Sequence, residues 1–422
     1  MIEQAPAAAW RATSIAITDP GPLDGFLPVT GALAWLRRGD GLIGIGEAAR
    51  LDGATALEAD AWWREFSAGV AVAPTEVEGA GPLVFASFTF DPDNTASRSV
   101  MIVPRLIIGR RRGSAWLTWL SDGTDEQPSL DDLVVWDGRA GADRLAVTVT
   151  GRSLEREAWK RIVAEAVNRI ETNGLDKVVL ARSVTLRAET ALDPRRLVSA
   201  LARRYETCWT YAVDGLVGAS PEMLVRLEGG LAMSRVLAGT IRRNGAEELD
   251  LKLAHGLARS SKNLIEHELA VESVAAALAP FCSGMNVPDA PYILELPNVL
   301  HLASDVTAVA HGDASALRLA SELHPSAAVC GTPTATARRA IAELERLDRG
   351  RYSGPVGWMN SRGDGEFAIA LRCGLLDAAD PHSITLYAGC GIVEESDPTE
   401  EYAETEAKLI PMLEALGVPV PN

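Results

Sequence analysis

The sequence predicts a chain that mixes strands with helices, and three observations carry that expectation. Runs rich in β-branched and aromatic residues crowd the first 150 positions. Long stretches with apolar residues three or four apart fall near 153–172, 256–278 and 397–416. Short strand-like runs bounded by Gly, Pro and Asp lie between them. With 422 residues the chain has room for one large domain or several small ones. No internal repeat and no Gly-, Ser- or Pro-rich linker divides it.

Composition narrows the class. Apolar residues make up 47% and charged residues 23%, the balance of a soluble globular enzyme. A net charge of −17 argues against nucleic acid and against an anionic membrane surface, which both need cationic patches. Cys208, Cys282, Cys330, Cys373 and Cys390 are odd in number and form no Cys-x-x-Cys pair. Free thiols in a reducing cytoplasm are the expectation. The start of the chain lacks a basic segment followed by an apolar run, and no apolar run reaches the roughly 20 residues of a membrane span.

In chain order, Leu42–Gly46, Leu83–Phe90, Ser99–Ile108 and Ser114–Leu120 read as strands, the last two joined by an Arg-Arg-Arg-Gly turn. Ala54–Val70 reads as a helix containing Trp62 and Trp63. This first third carries no catalytic cluster and reads as scaffold. Ser153 is placed to cap a helix running to Thr172, with Leu154, Ala158, Ile162, Ala166 and Ile170 along its apolar side. Gly174 stops it, and a strand opens at Lys177. Trp209–Val213 and the run through Gly218-Ala-Ser-Pro-Glu222 read as strand, turn, strand. Leu237-Ala-Gly239-Thr240 is a turn of small residues against which a ligand can lie. The helix 256–278 contains Glu266-His267-Glu268, a weak metal signal because adjacent residues do not share a face. Arg372 lies in what reads as an apolar strand, and a buried arginine needs an anionic partner.

The C-terminal stretch is the most informative. Gly389 and Gly391 break a strand end, where backbone N–H groups can approach an anion. Asp397-Pro398 then starts a helix. Glu401, Glu404 and Lys408 fall on one face, and Leu409, Met412, Leu413 and Leu416 form a separate apolar stripe for docking. Gly-x-Gly, Ile-Val, Ser-Asp-Pro and Glu-x-x-x-Lys in this order resemble the signature of the chorismate-utilising enzymes, which make isochorismate, salicylate, anthranilate or aminodeoxychorismate. Seven motifs from Asp176 to Lys408 share the resemblance; residues 1–150 match loosely.

The resemblance implies a single α+β domain over residues 1–422, with two large antiparallel sheets packed face to face, helices outside and the site in a cleft between them. Residues 1–150 are then scaffold and 151–422 the catalytic part. It implies chorismate as substrate and Mg²⁺ as cofactor, held by Glu266 and Glu404, with Glu401 acting through water. Lys177 is the implied water-activating base and Glu222 the general acid. Gly239, Thr240, His301, Tyr352, Arg372, Gly389, Gly391 and Lys408 are the implied substrate contacts. Lys177 argues against an ammonia-using anthranilate synthase and its glutaminase partner. Ala238, where aminodeoxychorismate synthases carry lysine, argues against that activity. Isochorismate synthase is the expected function, feeding menaquinone or, second, siderophore synthesis, by a monomer or weak homodimer. The alternatives are a salicylate synthase and, more remotely, a non-catalytic chorismate-binding subunit. Small Ala303, beside Leu237, His301 and Ser304, favours release of isochorismate before pyruvate is lost.

Overall fold

The structure is a computed structural model. It describes residues 10–418 except 124–127, 131–132, 134, 137–144, 173 and 313, and it does not describe the side chains of residues 262 and 266. Among the described residues, one sheet has 13 strands and the other has 10. Pairing is antiparallel except between Arg11–Ile17 and Ala71–Val72. The expected α+β class with two large sheets is what forms.

The sheets pack face to face because their strands alternate. Leu33, Trp35, Leu42, Ile107 and Trp116 join one large core with Phe85, Val100, Val225 and Phe367 of the smaller sheet. Their chain neighbours Ala34, Leu36, Ile43, Ile108 and Leu117 face the other way, into a second core. The helices Pro194–Arg204 and Pro398–Ala415 cover that outer face through Leu197, Leu201, Leu409, Met412 and Leu416. The sheets approach so closely that a Cβ on Gly44 would lie 2.9 Å from the Phe85 ring.

Several elements differ from the sequence expectation, each for a local reason. Ser99–Ile108 is two strands in different sheets. Val100–Val103 pairs with Ala49–Asp52 in the 10-stranded sheet, and Leu106–Arg111 pairs with Asp40–Ile45 in the larger one. Pro104 stands at the crossing, where its missing N–H and fixed φ interrupt a ladder. Ser153 does not cap a helix. Its hydroxyl accepts the Ser183 N–H at 2.8 Å, and the helix runs Arg156–Thr172. That helix buries Trp159, Val163 and Ala166, a face turned from the expected stripe because the large indole takes the core position. The helix expected over 256–278 starts at Ser261, capped by Ser260, and runs to Leu278, after a separate helix Glu247–Leu257. A serine there offers its side chain to the Asn263 N–H in place of a helical turn.

One buried ion pair fixes the strand that carries Lys177. Glu345, at the end of the helix Thr334–Glu345, is 1% exposed, and Arg349 is 3% exposed. Glu345 Oε1 accepts from Arg349 at 2.5 Å and from the Ala181 backbone N–H at 2.7 Å. Arg349 also donates to the carbonyls of Val179 and Val329 at 2.7 and 2.9 Å. Breaking such a pair strands a buried charge. Arg349→Met should therefore lower the unfolding free energy by about 3–5 kcal/mol. Adding Glu345→Gln, which removes the charge and keeps an acceptor for Ala181, should recover much of that loss in urea titrations.

Candidate active site

A cavity of about 310 Å³ opens between the sheets, large enough for a small-molecule substrate. Lys177 begins the strand Lys177–Ala188, and Gly389 and Gly391 lie in its partner Ser383–Ile392, both in the larger sheet. Gly239 and Thr240 lie in Leu231–Arg242, and His301 in Val299–Ala310, of the smaller sheet. Glu222 precedes the strand Met223–Glu228. Glu401, Glu404 and Lys408 come from the C-terminal helix, which Asp397 caps by accepting the Thr399 and Glu400 N–H groups. Every site residue expected from sequence lines this cavity except Glu266, whose side chain lies outside those described. Asn263, Ser353, Tyr387 and Glu400 line it too and were not singled out. Their only signal was closeness in sequence to residues that were.

The local structure corrects four expectations. Gly389 and Gly391 form no turn; they lie within the strand Ser383–Ile392, near its end, opposite Ala181 and Val179. The N–H groups of those two partners go elsewhere, to Glu345 and to the Cys330 carbonyl. The glycines therefore occupy non-hydrogen-bonded positions, and their own N–H groups point away from that strand. On that far side the Cys373–Leu376 strand pairs only as far as Leu386, which leaves the two N–H groups beside the cavity. Leu237–Thr240 is a bulge within a strand, with Gly239 at φ +81 and a register shift against Ala303 and His301. Arg372 is not in a strand. It sits at φ +50, where the chain leaves Gly365–Ile369 of one sheet for Cys373–Leu376 of the other. Ala303 and Ser304 do not line the cavity; Ser304 Oγ bonds His267 Nε2 at 2.8 Å.

Arg372 is 7% exposed, and among the described residues it has no carboxylate within 4.0 Å. Its Nη2 lies 3.4 Å from His301 Nε2. Because guanidinium only donates, Nε2 accepts, and Nδ1–H then donates to Thr240 Oγ1 at 2.9 Å. Burial, with Arg372 and Lys408 nearby, holds the His301 pKa well below its usual value, which keeps the ring neutral. Lys408 pairs with Glu404 at 2.5 Å and donates to the Gly389 carbonyl at 3.0 Å. Glu401 accepts from Ser396 Oγ at 2.7 Å. Tyr352 stacks on Tyr387 with centroids 5.1 Å apart. Lys177 is only 2% exposed. Burial pushes the Glu222 carboxyl up to about 8, against the opposing pull of Lys177, Lys408 and Arg372.

Among the described residues, no three His, Cys, Asp or Glu side chains come together as a metal site. The carboxylates of Glu401 and Glu404 line the cavity, and hard oxygen donors of this kind suit Mg²⁺.

This architecture, a cavity walled by both sheets and closed by the C-terminal helix, is a chorismate-enzyme arrangement. A family model described as "Chorismate binding enzyme" matches residues 35–417, and the chain belongs to that family. It is 34% identical to isochorismate synthase MenF of Bacillus subtilis strain 168, over 80% of this chain and 75% of that protein. It is 39% identical to isochorismate synthase DhbC of the same strain, over 63% of this chain and 69% of that protein. The solved structure of MenF, the menaquinone-specific isochorismate synthase from Escherichia coli, shares the fold. Its TM-score is 0.79 at 24% identity, covering 97% of this chain and 94% of that one.

A carboxyl held at about 8 binds a proton in the folded state that it has lost, at neutral pH, in the unfolded chain. Its burial therefore costs nothing below the unfolded value of 4.5 and progressively more as pH rises towards 8. Glu222→Gln removes that penalty. The melting temperature of the variant should gain on wild type from pH 5 to pH 8, and a pH-independent difference would contradict a raised carboxyl.

Proposed function

We propose that the chain is an isochorismate synthase, an isomerase that converts chorismate to isochorismate. The observation that carries this reading is the meeting, in one cavity, of a buried lysine, a carboxyl that keeps its proton at pH 7, and a buried arginine without a carboxylate partner. Chorismate is a dianion. Arg372 is the group to hold its enolpyruvyl carboxylate, with Tyr352 and the N–H groups of Gly389 and Gly391. Arg372 donates to His301, and Thr240 completes that chain, so the guanidinium is oriented before substrate arrives.

The reaction adds water at C2 and expels the C4 hydroxyl. Lys177 accepts the proton of the attacking water, and Glu222 supplies a proton to the departing hydroxyl, which leaves as water. The two groups need opposite protonation states, and burial of Glu222 provides one of them. We assign Glu404 and Glu266 as ligands of Mg²⁺, with Glu401 behind them through a water. Bound there, Mg²⁺ supplies positive charge for the ring carboxylate. The contact of Lys408 with Glu404 at 2.5 Å holds that carboxylate at the cavity wall.

Strands from before residue 150 enter both sheets, which supports reading the chain as one functional unit with its first third as scaffold. Among the described residues, no helix is long and apolar enough to cross a membrane. We place the enzyme in the cytoplasm, as a monomer or weak homodimer without a glutaminase subunit. Menaquinone supply is the favoured pathway, since the Bacillus subtilis relative carries the name MenF, and siderophore supply is second.

Purified protein given chorismate and Mg²⁺ should release isochorismate, resolved from salicylate by HPLC with fluorescence detection. Lys177→Ala should still bind chorismate but lose turnover by on the order of 10²-fold or more. Salicylate rising without an isochorismate lag would make the chain a salicylate synthase, and binding without turnover in wild type a chorismate-binding subunit. Arg372→Lys keeps the charge and loses the planar fork, so the KM for chorismate should rise by roughly tenfold or more. An unchanged KM would make Arg372 structural.

A further inference from the structure

His267, from the Glu-His-Glu stretch of the helix Ser261–Leu278, is 3% exposed and does not line the cavity. Its Nδ1 meets the Ala238 carbonyl at 3.2 Å, and its Nε2 meets the Ser304 hydroxyl at 2.8 Å. A carbonyl only accepts, so Nδ1 carries a proton and donates. Ala238 lies in the bulge of Leu231–Arg242, and Ser304 in the neighbouring strand Val299–Ala310. The imidazole therefore ties the bulge to the strand beside it.

The same helix meets the bulge at a second point. Asn263, one turn earlier on the same face, lies so near Gly239 that a Cβ there would be 3.1 Å from the Asn263 Cβ. A bulge leaves its extra residue without a ladder partner, so contacts from outside the sheet decide where its groups point. For the buried Ala238 carbonyl, His267 is that contact.

The bulge in turn reaches Glu222. The strand Met223–Glu228 pairs with Leu231–Arg242 over Arg226–Glu228, and the same register continued brings Leu237 opposite Glu222. The Leu237 N–H, one residue before Ala238, donates to the Glu222 carboxyl. A protonated carboxyl has a carbonyl oxygen that accepts and an O–H that donates. With the N–H on the first, the proton rests on the second and is free for the departing hydroxyl.

We propose that His267 is a positioning residue for the general acid: by holding the Ala238 carbonyl it fixes the bulge whose Leu237 N–H orients Glu222. The proposal rests on reading the cavity as an isochorismate synthase site.

The test separates the two ring nitrogens. Asparagine sets its amide N–H near the place of Nδ1, and glutamine sets its own near Nε2. In the full chain with chorismate and Mg²⁺, His267→Gln should lower kcat by on the order of 10²-fold and leave the KM for chorismate within about twofold, because a misplaced acid costs rate and not binding. His267→Asn should restore most of kcat. The Leu237 N–H lowers the Glu222 pKa, so its loss should move the alkaline limb of the His267→Gln rate profile to higher pH. If His267→Gln does not fold, Ser304→Ala, which frees the ring at Nε2, should change kcat and the alkaline limb in the same directions. An unchanged kcat, equal losses in His267→Asn and His267→Gln, a raised KM in place of the lowered kcat, or an unmoved alkaline limb overturns the proposal. Wild type that makes no isochorismate refutes the reaction instead, and the contact is then read from melting temperatures. The gain of Glu222→Gln over its parent should continue to higher pH in a His267→Gln background than in wild type, and an identical pH dependence overturns the positioning.

Discussion

The geometry of the candidate active site depends on the carboxylate of Glu345. It is buried at a helix end, accepts the N–H of Ala181, and is held by Arg349, which in turn grips the carbonyls of Val179 and Val329. Residues 179–181 are thereby set against the segment 329–349, far away in sequence. The strand that opens with Lys177 uses non-ladder partners at two positions, and those exceptions leave Gly389 and Gly391 with N–H groups directed past it. A structural ion pair thus shapes the candidate site without lining its cavity.

A protein of net charge −17 that binds a dianion must concentrate cations locally. Lys177, Arg372 and Lys408 converge on one cavity from two strands' ends and a helix, and all three pull on Glu222. Burial of the carboxyl outweighs them. Desolvation strengthens each charge that remains, so three cations in a closed site do more than many on the surface.

Much of the site was legible because its chemistry lies in short motifs. Asp397-Pro398 announces the cap that is formed, and the spacing of Glu401, Glu404 and Lys408 gives one helix face whichever way the helix docks. The apolar stripe of the same helix follows equally directly. What sequence could not convey is where a strand changes sheet. Pro104 and Arg372 both mark crossings, and each was read as the interior of one continuous strand because the flanking residues are apolar on both sides. Periodicity records burial, and a residue buried in either sheet looks the same. Ser153 shows a second limit: a serine before a helix is a cap only if no nearer backbone N–H claims it, and Ser183 does. Glu345 and Arg349 carried no signal, since an i, i+4 pair of opposite charge reads as solvated surface.

Among the described residues, none of the first third lines the cavity of the candidate site, yet that third could not be discarded. Leu33–Arg37 pairs with Trp209–Val213, and Leu83–Ser87 pairs with Pro355–Asn360. Removing it would bare one long edge on each sheet, with hydrophobic strands and unpaired backbone groups aligned for another copy to join. A fragment that kept every catalytic residue would be a template for aggregation before it was an enzyme.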